Sequence, residues 1–119
     1  RRLEEEKGEQ FGKAFEHFIL MEILAYRGYK KKKKEKNFWR TKTGIEVDFI
    51  LDRGKVAIEI KGKKRVDRRD LRPVTAFKED YSPDRAVIVC NEREKRIHRG
   101  IEIIPWREFL SELWAGKII

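Results

Sequence analysis

Asp48, Glu59 and Lys61 are the residues of this chain whose types and spacing could do chemistry. Glu59-Ile60-Lys61 sets an acid and an amine two positions apart, and a strand carrying them would show both on one side. Asp48 lies in the preceding apolar segment. Val47, Phe49 and Leu51 alternate with polar neighbours, as do Val56, Ile58 and Ile60, so each segment reads as a strand. Between them Asp52-Arg53-Gly54-Lys55 reads as a tight hairpin, with Gly54 free to take a positive φ.

A two-residue turn at Arg53-Gly54 predicts the register. Leu51 faces Val56, Phe49 faces Ile58 and Val47 faces Ile60 on one side; Ile50 faces Ala57, Asp48 faces Glu59 and Glu46 faces Lys61 on the other. Directly opposed residues have Cβ atoms roughly 4.5–5.5 Å apart. Two carboxylates so placed repel unless they are protonated, paired with a cation or bridged by a metal. Lys61 offers a positive charge beside them. A metal-dependent phosphodiester hydrolase needs this arrangement. Mg²⁺ prefers carboxylate oxygen, keeps several waters, polarises a phosphate and lowers the pKa of a bound water. A lysine alongside can position or deprotonate the attacking water, or steady the developing charge.

Asp48 followed by Glu59-Ile60-Lys61 resembles the Asp…(Asp/Glu)-x-Lys signature of the PD-(D/E)XK, or restriction-endonuclease-like, nuclease superfamily. A longer series runs through Phe38-Trp39-Arg40-Thr41-Lys42, Glu46-Val47-Asp48-Phe49, Ile58-Glu59-Ile60-Lys61, Arg68-Arg69-Asp70-Leu71-Arg72, Gly100-Ile101-Glu102-Ile103 and Pro105-Trp106-Arg107-Glu108-Phe109. It resembles the uncharacterised C-terminal domain of many prokaryotic AAA-type ATPases, itself a PD-(D/E)XK-like module, over nearly the whole chain. Val47 departs from the pattern, standing where the superfamily often has proline. The resemblance implies a Mg²⁺- or Mn²⁺-dependent endodeoxyribonuclease. Asp48, Glu59 and the main-chain carbonyl of Ile60 would hold the metal, and Lys61 would orient and activate the water. Gly12-Lys13-Ala14-Phe15-Glu16 matches a Gly-x-x-Phe-Glu setting, which implies that Glu16 joins the metal directly or through water. Helical spacing also sets Glu16 on a face with Gly12, Ile19, Leu20 and Ile23, looking inward. The first alternative is a catalytically inactive module of the same fold that binds DNA or a protein partner. The second is a metal-free ion-pair network of Asp48, Glu59 and Lys61 in a heat-stable scaffold.

Composition agrees with a polyanion as partner. Of 119 residues 43% are charged, and the net charge is +9. Such a balance suits nucleic acid or a membrane surface; it is also common in thermophile proteins rich in Lys, Glu and Arg. Lys63, Lys64, Arg65, Arg68 and Arg69 follow directly on the Glu59-Ile60-Lys61 strand, where bases would hold DNA backbone, together with Arg40 and Lys42. The run Lys30 to Lys34 reads as a solvated loop or a further backbone contact. The partners expected are DNA, an ATPase domain in the same polypeptide and a second copy of the chain as a homodimer. Neither a signal peptide nor a transmembrane run is legible, the longest apolar stretch, Phe18 to Tyr26, being broken by Glu22. A cytoplasmic home and no membrane partner are therefore expected. Cys90 is a lone cysteine, so no internal disulfide is expected. His17 and His98 have no cysteines at zinc spacing. Arg1-Arg2 opens the chain without methionine, as in a fragment of a longer ATPase.

At this length the chain reads as one domain, 1–119. A helix is predicted over 3–28, with Phe11, Ala14, Phe15, Phe18 and Met21 as its stripe, Ile19, Leu20, Ile23 and Leu24 widening it toward the C-terminal half, and Gly28 as its end. A short strand over 37–42 and the central hairpin follow. A helix to about Tyr81 buries Leu71, Val74 and Phe77, with Asp70 as N-cap and Pro73 in its first turn. Arg85 to Cys90 reads as a buried strand, implying a parallel crossover. Gly100 to Ile104 is a further strand, and Pro105 opens a last helix that Gly116 closes. Trp106, Phe109, Leu110, Leu113 and Trp114 form its apolar stripe. The order is an α/β αβββαβ core with an added strand and helix, the sandwich core of the nuclease superfamily.

Overall fold

The computed structural model describes residues 8–30, 37–40, 46–51 and 55–119, with side chains described for 10–29 and 55–119. The elements run α1 (Gly8–Lys30), β1 (Asn37–Arg40), β2 (Glu46–Leu51), β3 (Val56–Ile60), α2 (Arg68–Tyr81), β4 (Arg85–Cys90), β5 (Arg96–His98), β6 (Ile101–Pro105) and α3 (Trp106–Trp114). The protein is a mixed α/β domain, and its described strands form one sheet in the order β1-β2-β3-β4-β6-β5. β3, β4 and β6 are parallel neighbours; β1, β2 and β5 join antiparallel.

The hairpin register is the expected one, with Phe49 paired to Ile58, Ile50 to Ala57 and Leu51 to Val56. The turn at 52–54 lies outside the described residues, as do the lysine run from 31 and the segment 3–7 of the predicted first helix. The Arg-Gly dipeptide makes such a turn elsewhere. Arg99 and Gly100, at φ 50° and 81°, join β5 to β6, with His98 paired to Ile101. Positive φ at both central residues is what a two-residue hairpin of matching twist requires.

The helices cover opposite faces of the sheet. On one face Val56, Ile58, Ile60, Val87 and Val89 meet Phe11, Phe15, Ile19, Ile23 and Tyr26 of α1, and Phe109 and Leu113 of α3. On the other, Ala86, Ile88, Ile101 and Ile103 meet Leu71 and Val74 of α2. Cys90 is a small core residue on this second face, and burial pushes its thiol up to about 11. The chain's end packs back on the first face, where the Tyr26 hydroxyl donates to the Ile119 carbonyl at 2.9 Å.

Several local expectations are corrected. The buried stripe of α1 is Phe11, Phe15, Ile19, Ile23 and Tyr26, while Ala14, Phe18 and Met21 lie on the exposed side. The second half of this helix is apolar almost all round, so contact with the sheet, not periodicity, selects the inward stripe. α1 passes through Gly28, which does not take the positive φ of a helix terminator, and ends at Lys30. The N-cap of α2 is Asp67; Asp70 stands at the third helical position and completes a capping box by accepting from Asp67 N–H at 2.9 Å. Pro73 therefore falls inside the helix, beyond its first turn. Pro105 ends β6 and caps α3, which starts at Trp106. β5 was not anticipated: it is three residues long and mostly exposed, without an apolar alternation to mark it. In α3, Phe109 and Leu113 are buried, Trp106 and Leu110 partly so; Trp114 sits edge-on to Tyr26 and donates to Glu22 at 3.0 Å.

Gly62, just past β3, is where α1 comes closest to the chain that carries the candidate site. A Cβ there would stand 2.8 Å from Phe11 Cε2 and 3.0 Å from Phe15 Cγ. Gly62→Ala should therefore cost about 1–3 kcal/mol, the usual cost of overpacking, in urea unfolding. An unchanged midpoint would mean that α1 does not rest on this end of β3.

Candidate functional site

β3 is buried along its whole length, and its side chains alternate between the two cores. Ile58 and Ile60 point to the α1 and α3 side. Glu59, paired to Ile88 in β4, points to the α2 side, where it is 3% exposed. Lys61 follows on that same side. Its backbone N–H donates to the Val89 carbonyl at 2.9 Å, so it still runs beside β4. Its Nζ lies 3.6 Å from Glu59 Oε2, with a side chain 38% exposed against 4% for the glutamate. The lysine thus neutralises a buried carboxylate while its own head reaches solvent.

Asp48 belongs to β2. The pairing of β2 with β3 is described as far as Phe49–Ile58, and the expected facing of Asp48 and Glu59 lies one step beyond it. The side chains of Asp48 and Arg40, and all of Lys42, lie outside the described residues. At backbone level Arg40 pairs with Glu46. Glu16 is half-buried on α1, next to Phe15. Its helix covers the face opposite to Glu59. Gly12 has no neighbour within 4 Å of its would-be Cβ among the described residues. Among the described residues no three acid, histidine or cysteine side chains gather into a metal-holding group.

The basic residues after β3 divide into two kinds. Lys63 Nζ is held 2.9 Å from Asp70 Oδ2 and 3.1 Å from Asp67 Oδ2. Its hydrogen bond to Asp70 raises the lysine's pKa, and its bond to Asp67 holds that carboxyl at about 2. Its charge is thus largely answered within the chain. Lys64, Arg65, Arg68 and Arg69 are exposed.

The loop that carries them is anchored by two residues that the sequence reading did not single out. Glu92 accepts from Val66 N–H at 2.8 Å and takes Arg96 in two points, Nε and Nη2, each at 2.8 Å. Arg96 Nη2 also donates to the Val66 carbonyl at 3.0 Å. The loop backbone is therefore satisfied by side chains from the end of β4 and from β5. The Glu-x-x-x-Arg spacing was a faint signal, since outside a helix it carries no expectation of contact. Asp67-x-x-Asp70 was a stronger one, as a capping box.

The hydrogen bonds from Arg96 lower the Glu92 pKa from its ordinary 4.5. A depressed carboxylate stabilises the fold above its unfolded pKa and loses that contribution as pH falls through the folded value. Glu92→Gln should cost roughly 1–3 kcal/mol at neutral pH. The gap to the native protein should close in acid, below the ordinary carboxylate range. Thermal melts across pH measure it, and a gap independent of pH would exclude the ion pair as its source.

A family model, Domain of unknown function (DUF4143), matches residues 11–109, and the chain belongs to that family. No curated protein and no solved structure matches the chain. Among the described residues no helix is long and apolar enough to cross a membrane.

Proposed function

We propose that this member of the DUF4143 family is a metal-dependent DNA nuclease on a PD-(D/E)XK-like αβββαβ core. The observation that carries the reading is Glu59: a buried carboxylate, 3.6 Å from the Lys61 ammonium, one residue beyond the Phe49–Ile58 pair where Asp48 is expected to face it. A carboxylate at 3% exposure in the middle of a sheet has a large desolvation cost. Hard oxygen donors backed by a lysine suit Mg²⁺ or Mn²⁺. Asp48, Glu59 and the Ile60 carbonyl would hold the ion, with Glu16 joining directly or through water. When bound, it would polarise the scissile phosphate and lower the pKa of a coordinated water.

The chain's own residues do the rest. Lys61, half in solvent, orients the attacking water and takes or lends a proton at Nζ. Lys64, Arg65, Arg68 and Arg69, with Arg40 and Lys42, hold sugar-phosphate backbone. Lys63 contributes less, because Asp67 and Asp70 already engage it.

A second reading, a module that binds DNA or a partner without cutting, is favoured by one observation: Glu16 stands on the helix that covers the face opposite to Glu59. The two readings separate on plasmid, linear and branched DNA with Mg²⁺ or Mn²⁺. The nuclease cuts at least one of them. Lys61→Ala should lose about 10²-fold or more in rate, the scale of a lost proton-transfer group, while still retarding DNA on a gel. Retardation without any cutting by the native protein leaves the binding module. Mn²⁺ titration calorimetry adds a readout independent of activity: heat for the native chain and none for Asp48→Asn. Equal heat for both would remove Asp48 from the metal set.

A further inference from the structure

The carboxyl ends of β3, β4 and β6 open into a cleft of about 650 Å³. Lys64 forms one wall, Asn91 and Arg93 the next, and Trp106 and Arg107 at the start of α3 the third. In open α/β sheets ligands bind outside the carboxyl ends of the parallel strands, and a volume of this size falls within the range of roughly 300–1,000 Å³ for small-ligand sites.

The chemistry of the walls is selective. Arg93 and Arg107 are exposed, as is Lys64. The Arg107 guanidinium lies over the Trp106 ring, 4.4 Å from its centroid, so aromatic and cation form one layered surface. Of the two acids in the lining, Glu92 is engaged by the two-point bond from Arg96, and Glu108 is exposed. A concave site with cations round a planar surface fits a nucleotide whose base is free to enter. A paired base is not free, because its faces are stacked within the duplex. Stacking surfaces beside a basic groove are how single strands are held without sequence readout. Lys64 follows Lys61 by three residues, a span of at most about 10 Å even in extended chain. The cleft therefore begins three residues past the lysine of the candidate site.

We propose that this cleft seats an unpaired nucleotide of single-stranded DNA, with Lys64, Arg93 and Arg107 on its phosphates and the Trp106–Arg107 surface against its base. The proposal deepens the nuclease reading, on which its account of the substrate rests, by making a single-stranded segment the part of the substrate next to the scissile bond. Its binding half stands independently.

The test is fluorescence anisotropy in chelator-containing buffer, where nothing is cut, with a labelled DNA oligonucleotide of about a dozen nucleotides, on the scale of single-strand site sizes. The native protein should bind the single strand more tightly than the blunt duplex of the same sequence. Arg93→Ala/Arg107→Ala should weaken single-strand binding about tenfold or more and flatten its log–log salt dependence by roughly 1.4, two phosphate contacts at about 0.7 each. Both arginines are exposed, and a thermal melt checks that the double variant is folded. Lys55→Ala/Lys117→Ala removes the same charge from exposed positions beside Arg85, at the opposite end of the parallel strands, and should leave binding within about twofold, as for charges more than a screening length away. Equal losses in both double variants, an unaffected Arg93→Ala/Arg107→Ala, or duplex binding as tight as single-strand binding would overturn the proposal. So would tighter binding of the matched RNA, which would take the site away from DNA. A native protein that passes this test yet cuts nothing with Mn²⁺ refutes the nuclease and keeps the cleft; cutting with an unaffected double variant does the reverse.

Discussion

A carboxylate in a strand buried on both faces is held in place by its neighbours, and Glu59 is such a group. Removing an ionised acid from water costs several kcal/mol, which a nearby cation offsets only where the geometry holds it close. The Lys61 ammonium is near and partly hydrated, so it can answer the charge and still meet solvent. Glu59 cannot swing away, because β3 is locked antiparallel to β2 and parallel to β4. A slip of one residue would send it into the Phe11–Phe15 core on the other side. The identity of the two cores and the position of the acid are therefore one constraint.

The same logic governs the segment after β3. A loop rich in cations would repel itself if left to solvent. Here the capping box of α2 draws in Lys63, and Glu92 with Arg96 closes on the backbone of Val66. What remains outward, Lys64, Arg65, Arg68 and Arg69, is held on a fixed base. At the other end of the parallel strands Arg85 bonds Glu102 at 2.6 Å and reaches Glu112 at 3.4 Å, with Lys95 beside both acids. Among the described residues much of the charge is thus matched internally, while Lys64, Arg93 and Arg107 stand where the sheet opens.

Most of the fold was legible because its signals are local. Period-two alternation marks β2 and β3, an apolar run marks β4, and apolar spacing marks α2 and α3. The short strand β5 was not, since three exposed residues carry no pattern; the Arg99-Gly100 turn beside it was the available sign. Of the candidate site, the pairing of Glu59 with Lys61 follows from period-two alternation along one strand, and the hairpin register through Phe49–Ile58 from counting residues about a two-residue turn. The commitment of Lys63 to Asp67 and Asp70 could not be counted in that way before the start of α2 was known.

The sequence by itself determined which residues share a strand face, because side-chain alternation is a property of extended backbone and needs no partner. Only the tertiary structure decided which helix covers that face. α1 carries apolar side chains around most of its second half, so nothing within it chooses a side of the sheet. Packing against Ile58 and Ile60 made the choice, and it set the helix that carries Glu16 across the sheet from Glu59.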